Sequence, residues 1–309
     1  MPPKQPHQRN TRAVATHASK DALKKENEAN EDTETSNEAQ AKSGGKRKGP
    51  PSVENQEPPT KSTKTSSSEI DIIKFLLSPG ALSLCQGRKT DVSQFDAKSG
   101  KDYFSPDLTP FEHLLCAAIL SRPISHVLGQ RTIRTVLNDP WNWNTAQPII
   151  DAGKENQEGK TERLKAMEEA RTQHRQKTAA ELGALAVAVI DEKWDEREDG
   201  SLDGLLEASE GKEREVRRLL KKIKGIGDTA VDIFVRRVQG CKGWETLGWF
   251  VDSKTEEALV KVGLPGDAED VKKLVEESGS ENVRRDFARV LERSLGVALE
   301  GRETEIPPQ

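Results

Sequence analysis

Residues 213–239, EREVRRLLKKIKGIGDTAVDIFVRRVQ, constrain the fold of this chain more than any other stretch. Val216, Leu219, Leu220 and Ile223 recur at i, i+3, i+4 and i+7, the spacing of one helical face, with Arg217, Arg218, Lys221 and Lys222 between them. The pattern predicts an amphipathic helix with a basic outer side. Gly225-Ile226-Gly227 then supplies two residues without Cβ atoms, so the backbone can turn tightly and a partner can approach it closely. A second helix is expected from about Asp228, with Ala230, Phe234 and Val238 inward and Asp232 and Arg236 outward as an i, i+4 ion pair.

Such a turn has a chemical use. The first N–H groups of the second helix lack intrahelical partners and sit at the positive end of its dipole, where a phosphate can dock. Lys222 and Lys224 would add charge-assisted contacts. The plainer reading is an αα corner whose glycines merely cap the first helix. Asp228 complicates the first reading, because its carboxylate can cap the N–H groups that a phosphate would need.

Elsewhere the helical signals continue. Residues 69–77 can make a helix stopped at Pro79-Gly80, and 81–108 read as loop with the anchors Phe95, Tyr103 and Phe104. Thr109, Pro110 and Glu112 form a capping-box start, opening a helix apolar nearly all round that should lie at the centre of the core. Another helix is expected over 124–137, and Trp141 and Trp143 are expected to plug the end of a helical layer. Helical residues dominate 161–193, with a break expected near Gly183, and an acidic linker is expected over 191–204. Three helices follow, over 253–262, 267–278 and 280–300. No strand-period alternation of any length occurs. The expected fold class is all-α.

Composition separates the chain. Residues 1–68 hold no Trp, Tyr or Phe and cannot bury enough apolar surface to offset their ordering entropy, so a disordered tail is expected there. That tail carries twelve Lys and Arg against nine Asp and Glu, net +3, which leaves the rest of the chain at −7 out of a total of −4. Nucleic-acid binding by an acidic body must therefore be local. Lys46-Arg47-Lys48 before Pro50-Pro51 reads as a nuclear import signal, while the acid-free start with Lys4, Arg9, Arg12 and Lys20 leaves a mitochondrial alternative. Apolar runs are too short for a membrane span. Cys85, Cys116 and Cys241 have no C-x-x-C spacing and form no disulfide framework, zinc site or iron–sulfur ligand set; no cofactor is expected. His113, His126 and His174 are single histidines on helices, read as solvated or hydrogen-bonded.

The helix over 110–121, the Gly225-Ile226-Gly227 turn and Val251-Asp252-Ser253 together resemble the helix-hairpin-helix GPD superfamily of DNA glycosylases, which includes endonuclease III, adenine glycosylase and alkylpurine glycosylase. The resemblance covers about 68–299. It implies a two-lobed helical domain over 69–300, with 301–309 as a short disordered end, acting on double-stranded DNA in base-excision repair. It further implies that Asp252 is catalytic, its carboxylate stabilising the charge that develops on the sugar or orienting water. Lys222, Lys224, Gly225, Ile226, Gly227 and Thr229 would form the DNA-binding hairpin.

The chain departs from the family pattern in several places. Thr229 stands where bifunctional members carry Lys, so Schiff-base lyase chemistry by that route is not expected and the enzyme would be monofunctional. Arg122-Pro123 stands where many members insert Gln into the DNA stack, and no four-cysteine cluster loop follows. Asp252 also suits an N-cap, ahead of Ser253 and Glu256. The alternatives are a catalytically inactive DNA-binding or scaffold protein, and an all-α interaction domain without nucleic-acid contact.

Overall fold

Thr109 shows how local sequence sets the architecture. Its hydroxyl accepts from Glu112 N while the Glu112 carboxylate accepts from Thr109 N at 2.8 Å, and Pro110 occupies the first helical position. The helix so opened buries Phe111, Leu114, Leu115, Cys116, Ala117 and Ile119 completely. This is the expected central helix.

In the computed structural model, residues 67–86, 100–155 and 159–307 are described, and all belong to one compact unit, Ser62–Gln309. Residues 1–66, with the Lys46-Arg47-Lys48 trio, and Phe95 lie outside the described residues, while Ser67 and Ser68, expected in the tail, open the first helix. The helices in chain order are α1 Ser67–Leu77, α2 Pro79–Cys85, α3 Pro110–Leu120, α4 His126–Leu137, α5 Ala146–Asp151, α6 Glu162–Glu169, α7 Arg175–Asp191, α8 Asp203–Ala208, α9 Glu213–Leu220, α10 Asp228–Val238, α11 Ser253–Lys261, α12 Ala268–Glu277 and α13 Val283–Leu299. No strand occurs among the described residues, and the fold is all-α. None of the described helices is long and apolar enough to cross a membrane.

Two buried apolar clusters organise these helices. The first gathers α3 to α10, with Trp143, Trp194 and Trp244 almost fully enclosed. The second joins the two ends of the described chain, packing α1 and α2 against α11, α12 and α13 around Phe287 and Leu291. Helix α10 touches both α3 and α13, so it lies where the clusters meet.

Four local expectations are corrected. The first helix stops at Leu77, ahead of Pro79, but residues 81–85, expected as loop, are helical: Pro79 sits at the first position of α2, where its missing N–H costs nothing. The break in 161–193 falls between α6 and α7, not at Gly183, and α7 runs through that glycine. A Cβ on Gly183 would lie 1.2 Å from Arg163 Nη1, so this glycine leaves room for a side chain rather than breaking a helix. The acidic segment before α8 packs into the first cluster through Trp194 and Leu202, with the Asp195 carboxylate accepting from Gly200 N at 3.0 Å. Residues 303–305 form a 3-10 turn and Ile306 is buried in the second cluster, so order extends past α13. Trp143 is buried as expected, while Trp141 is half-buried and donates to Glu169 Oε2 at 2.9 Å.

Candidate functional site

The 213–239 stretch folds as helix, turn, helix. Val216, Leu219, Leu220 and Ile223 are buried, as their spacing predicts. Gly225 adopts φ +92°, the left-handed region that disfavours side chains, and a Cβ there would meet Glu181 Cδ at 2.9 Å. Gly227 is different. Its φ of −108° is open to any residue, and a Cβ there would meet nothing within 4 Å. Ile226 turns its side chain into the core, and its N–H donates to the Ile223 carbonyl at 3.1 Å, so neither is available to a partner at the turn.

Lys222, Lys224, Gly225, Gly227 and Thr229 are exposed around this turn, and no acid pairs with either lysine among the described residues. No side chain caps the start of α10. Asp228 instead pairs with Lys221 Nζ at 2.7 Å, which holds its carboxyl below the usual range. Beneath the turn, Arg122 Nη1 pairs with Glu181 Oε2 at 2.5 Å.

The expected Asp232–Arg236 pair does not form. Asp232 accepts from Arg217 Nη1 at 2.7 Å, and Arg236 is buried at 2% exposure. The i, i+4 spacing permits both partners to choose others, and tertiary packing supplied stronger ones. Arg236 donates from Nη1 to Asp252 Oδ2 at 2.5 Å and from Nε to Glu292 Oε1 at 2.6 Å. Arg237 donates to Glu292 Oε2 at 2.9 Å, to His113 Nδ1 at 3.0 Å and to the Tyr103 carbonyl at 2.6 Å. The Tyr103 hydroxyl closes the network on Glu292 Oε2. Two guanidinium groups thus face two carboxylates in a buried setting, each nearly saturated with hydrogen bonds, as burial of charge requires.

Asp252 is the N-cap of α11. Its Oδ1 accepts from Thr255 N at 3.2 Å and its Oδ2 from the Thr255 hydroxyl at 2.7 Å. Burial alone would raise its pKa, but Arg236 and Thr255 outweigh that and hold the carboxyl below the ordinary value. Glu292 is held down in the same way by Arg236 and Arg237 against its burial. Both are carboxylates at neutral pH.

Asp252 also lines an open cleft of about 250 Å³. Thr229 and Asp232 from the start of α10, Ser253 and Lys254 beside the N-cap, and Leu295 and Leu299 of α13 share the lining. Tyr103 and His126 complete one side, with His126 Nδ1 near Glu300 Oε1 at 3.3 Å. Of the residues singled out from sequence, Asp252 and Thr229 therefore meet at one cleft, while Lys222, Lys224, Gly225 and Gly227 form a separate exposed turn. Arg237 and Glu292 are not singled out by the sequence, and Arg236 and Tyr103 stand there only as an outward ion-pair partner and a loop anchor. The available signal was Arg236-Arg237 inside an otherwise apolar helical face.

The thiols offer no chemistry here: burial pushes Cys85, Cys116 and Cys241 up to about 12. No protein-family model, curated protein or solved structure matches the chain.

Proposed function

We propose that this protein is a helix-hairpin-helix DNA-binding protein of the GPD glycosylase type, acting as a monofunctional N-glycosylase on a damaged or mismatched base. The observation that carries the reading is that the Asp252 carboxylate and Thr229, from the helix that follows the Gly-Ile-Gly turn, line one cleft. In this reading the N–H groups at Gly227 and the start of α10 hold a backbone phosphate, aided by Lys222 and Lys224. A nucleotide swung out of the stack enters the cleft, where ionised Asp252 stabilises the positive charge on the sugar as the base leaves. The pair of apolar clusters, meeting at α10, suits the two-lobed arrangement that the resemblance implies. Thr229 supplies no amine; Lys254 lines the cleft but heads α11 at an exposed position.

A second reading is a DNA-binding or scaffold protein without chemistry. The Arg236–Asp252 ion pair favours it, because a carboxylate already opposed by a guanidinium has less charge to offer a developing cation. The deciding experiment is base release from duplexes carrying uracil, mismatched or alkylated bases, with wild type and Asp252→Asn. Release by wild type alone supports the glycosylase; duplex binding with no release by either supports the second reading. A nuclear location, with mitochondria as the alternative, belongs to the same proposal and is read from a fluorescent fusion with Lys46-Arg47-Lys48 replaced by alanine.

A further inference from the structure

Helices α10 and α13 pack together, and the Asp252 cleft takes its lining from the start of α10 and the end of α13. At the opposite ends of the same two helices lies a second, smaller pocket of about 60 Å³. Arg237, Arg285, Arg289 and Arg293 line it, together with His113 and Cys241.

Charge there is unbalanced. Glu292, the one acid in the lining, already accepts from Arg236, Arg237 and Tyr103. Asp286 offers one oxygen to both Arg285 and Arg289, at 3.3 and 3.2 Å, and its other oxygen accepts from Ser280 at 2.7 Å. Arg293 is only 8% exposed, yet its partners are carbonyls, those of Leu76 and Ser78; no carboxylate pairs with it among the described residues. Four arginines thus line a pocket whose one acid, Glu292, and whose neighbouring acid, Asp286, are already engaged.

Such an arrangement is costly without an occupant. Arg285, Arg289 and Arg293 stand at i, i+4 and i+8, and like charges at that spacing repel. A buried guanidinium without an anion carries a desolvation penalty that carbonyl partners offset only in part. Burial, joined by the charge of Arg289, draws the Arg293 pKa below its ordinary value. His113 adds a neutral donor: its Nδ1 accepts from Arg237, so the ring proton sits on Nε2.

We propose that this pocket binds a tetrahedral oxyanion of the phosphate class, as free phosphate or as the monoester end of a small molecule. The volume suits one such group, since it holds only several water-sized units. Planar guanidinium forks on neighbouring turns of one helix match its oxygens. Glu292 lines both this pocket and the Asp252 cleft, but of the two the four arginines line this pocket alone, and the proposal does not rest on the DNA reading.

The test is calorimetric titration of the full chain with inorganic phosphate, and in parallel with phenyl phosphate and dimethyl phosphate, at constant ionic strength. A saturable one-to-one isotherm is expected for phosphate and the monoester but not for the diester. Arg289→Gln, which changes a partly exposed side chain, should weaken binding about ten-fold while leaving thermal unfolding in phosphate-free buffer unchanged. Arg289→Lys should restore part of the affinity. Absence of saturation at millimolar phosphate, or equal binding by wild type and Arg289→Gln, overturns the proposal. Displacement of phosphate by a short DNA duplex also overturns it, since the pocket would then belong to a DNA-binding surface.

Discussion

Arg236 and Asp252, 16 positions apart, form a 2.5 Å ion pair in which both side chains are less than one-tenth exposed. Asp252 thereby fixes the start of α11 and anchors it to α10, while its carboxylate still lines an open cleft. One side chain serves as helix cap, as counter-ion and as cleft wall. Its loss must therefore be separated into structural and chemical effects.

Asp252→Ala leaves Arg236 with Glu292 alone and removes the α11 cap. Breaking a buried pair in this way should destabilise the fold by about 3–5 kcal/mol. Asp252→Asn keeps an oxygen for Thr255 N and should cost less, so it is the variant for activity. Denaturant melts measure the first effect. Excision assays on the folded Asn variant measure the second, and base release at the wild-type rate would remove Asp252 from the chemistry.

The two glycines of the 225–227 turn should behave in opposite ways. Gly225→Ala forces a side chain into φ +92° and against Glu181, and should destabilise by about 1–2 kcal/mol. Gly227→Ala has open space and ordinary dihedrals, so stability should stay within about 0.5 kcal/mol. If a phosphate approaches the backbone at this turn, Gly227→Ala should nevertheless weaken duplex binding. Unchanged affinity in a stable Gly227→Ala protein would count against the hairpin as the DNA contact.

Asp228→Asn removes an exposed negative charge next to the same N–H groups. The Asp228–Lys221 pair is solvent-exposed, so little stability should be lost. Duplex affinity should rise, with a steeper dependence on salt, as Lys221 becomes free to meet phosphate. Fluorescence anisotropy across a salt series reads both quantities, and a fall in affinity contradicts the proposed surface.

Acid should destabilise the protein in two stages. Burial, reinforced by Arg237, keeps the His113 pKa well below 6.5, so below about pH 6.5 the unfolded chain takes a proton that the folded one refuses. Stability therefore falls as pH drops through that range. Asp252 and Glu292 have depressed values, so their contribution is complete above about pH 4 and is lost as pH falls further. His113→Asn retains an acceptor for Arg237 without the titration. Urea melts should show a flatter profile between about pH 5 and 6.5 for this variant; a slope equal to that of wild type would show that His113 is not the responsible group.

Much of this was legible locally. The capping box at Thr109, the amphipathic face from Val216 to Ile223 and the helices after Asp252 follow from period, caps and stop residues, which act within a few positions of each other. Local rules fail where a residue has more than one suitable partner. Asp232 and Arg236 satisfy the i, i+4 rule, yet each pairs elsewhere because α9, α11 and α13 bring other charges within reach. Gly183 resembled a helix break, and only the position of Arg163 explains why a small residue sits inside α7.

The sequence by itself determined that the described chain is helical, where its main helices start, and that a Gly-Ile-Gly turn with a basic arm stands between two of them. These are properties of neighbouring residues and of hydrophobic period. The tertiary structure alone decided that Asp252 pairs with Arg236, that Glu292 and Tyr103 complete a buried network, and that Thr229 shares a cleft with Asp252. Those relations join segments far apart in the chain, and the energy of burying a charge selects among partners that only packing can bring together.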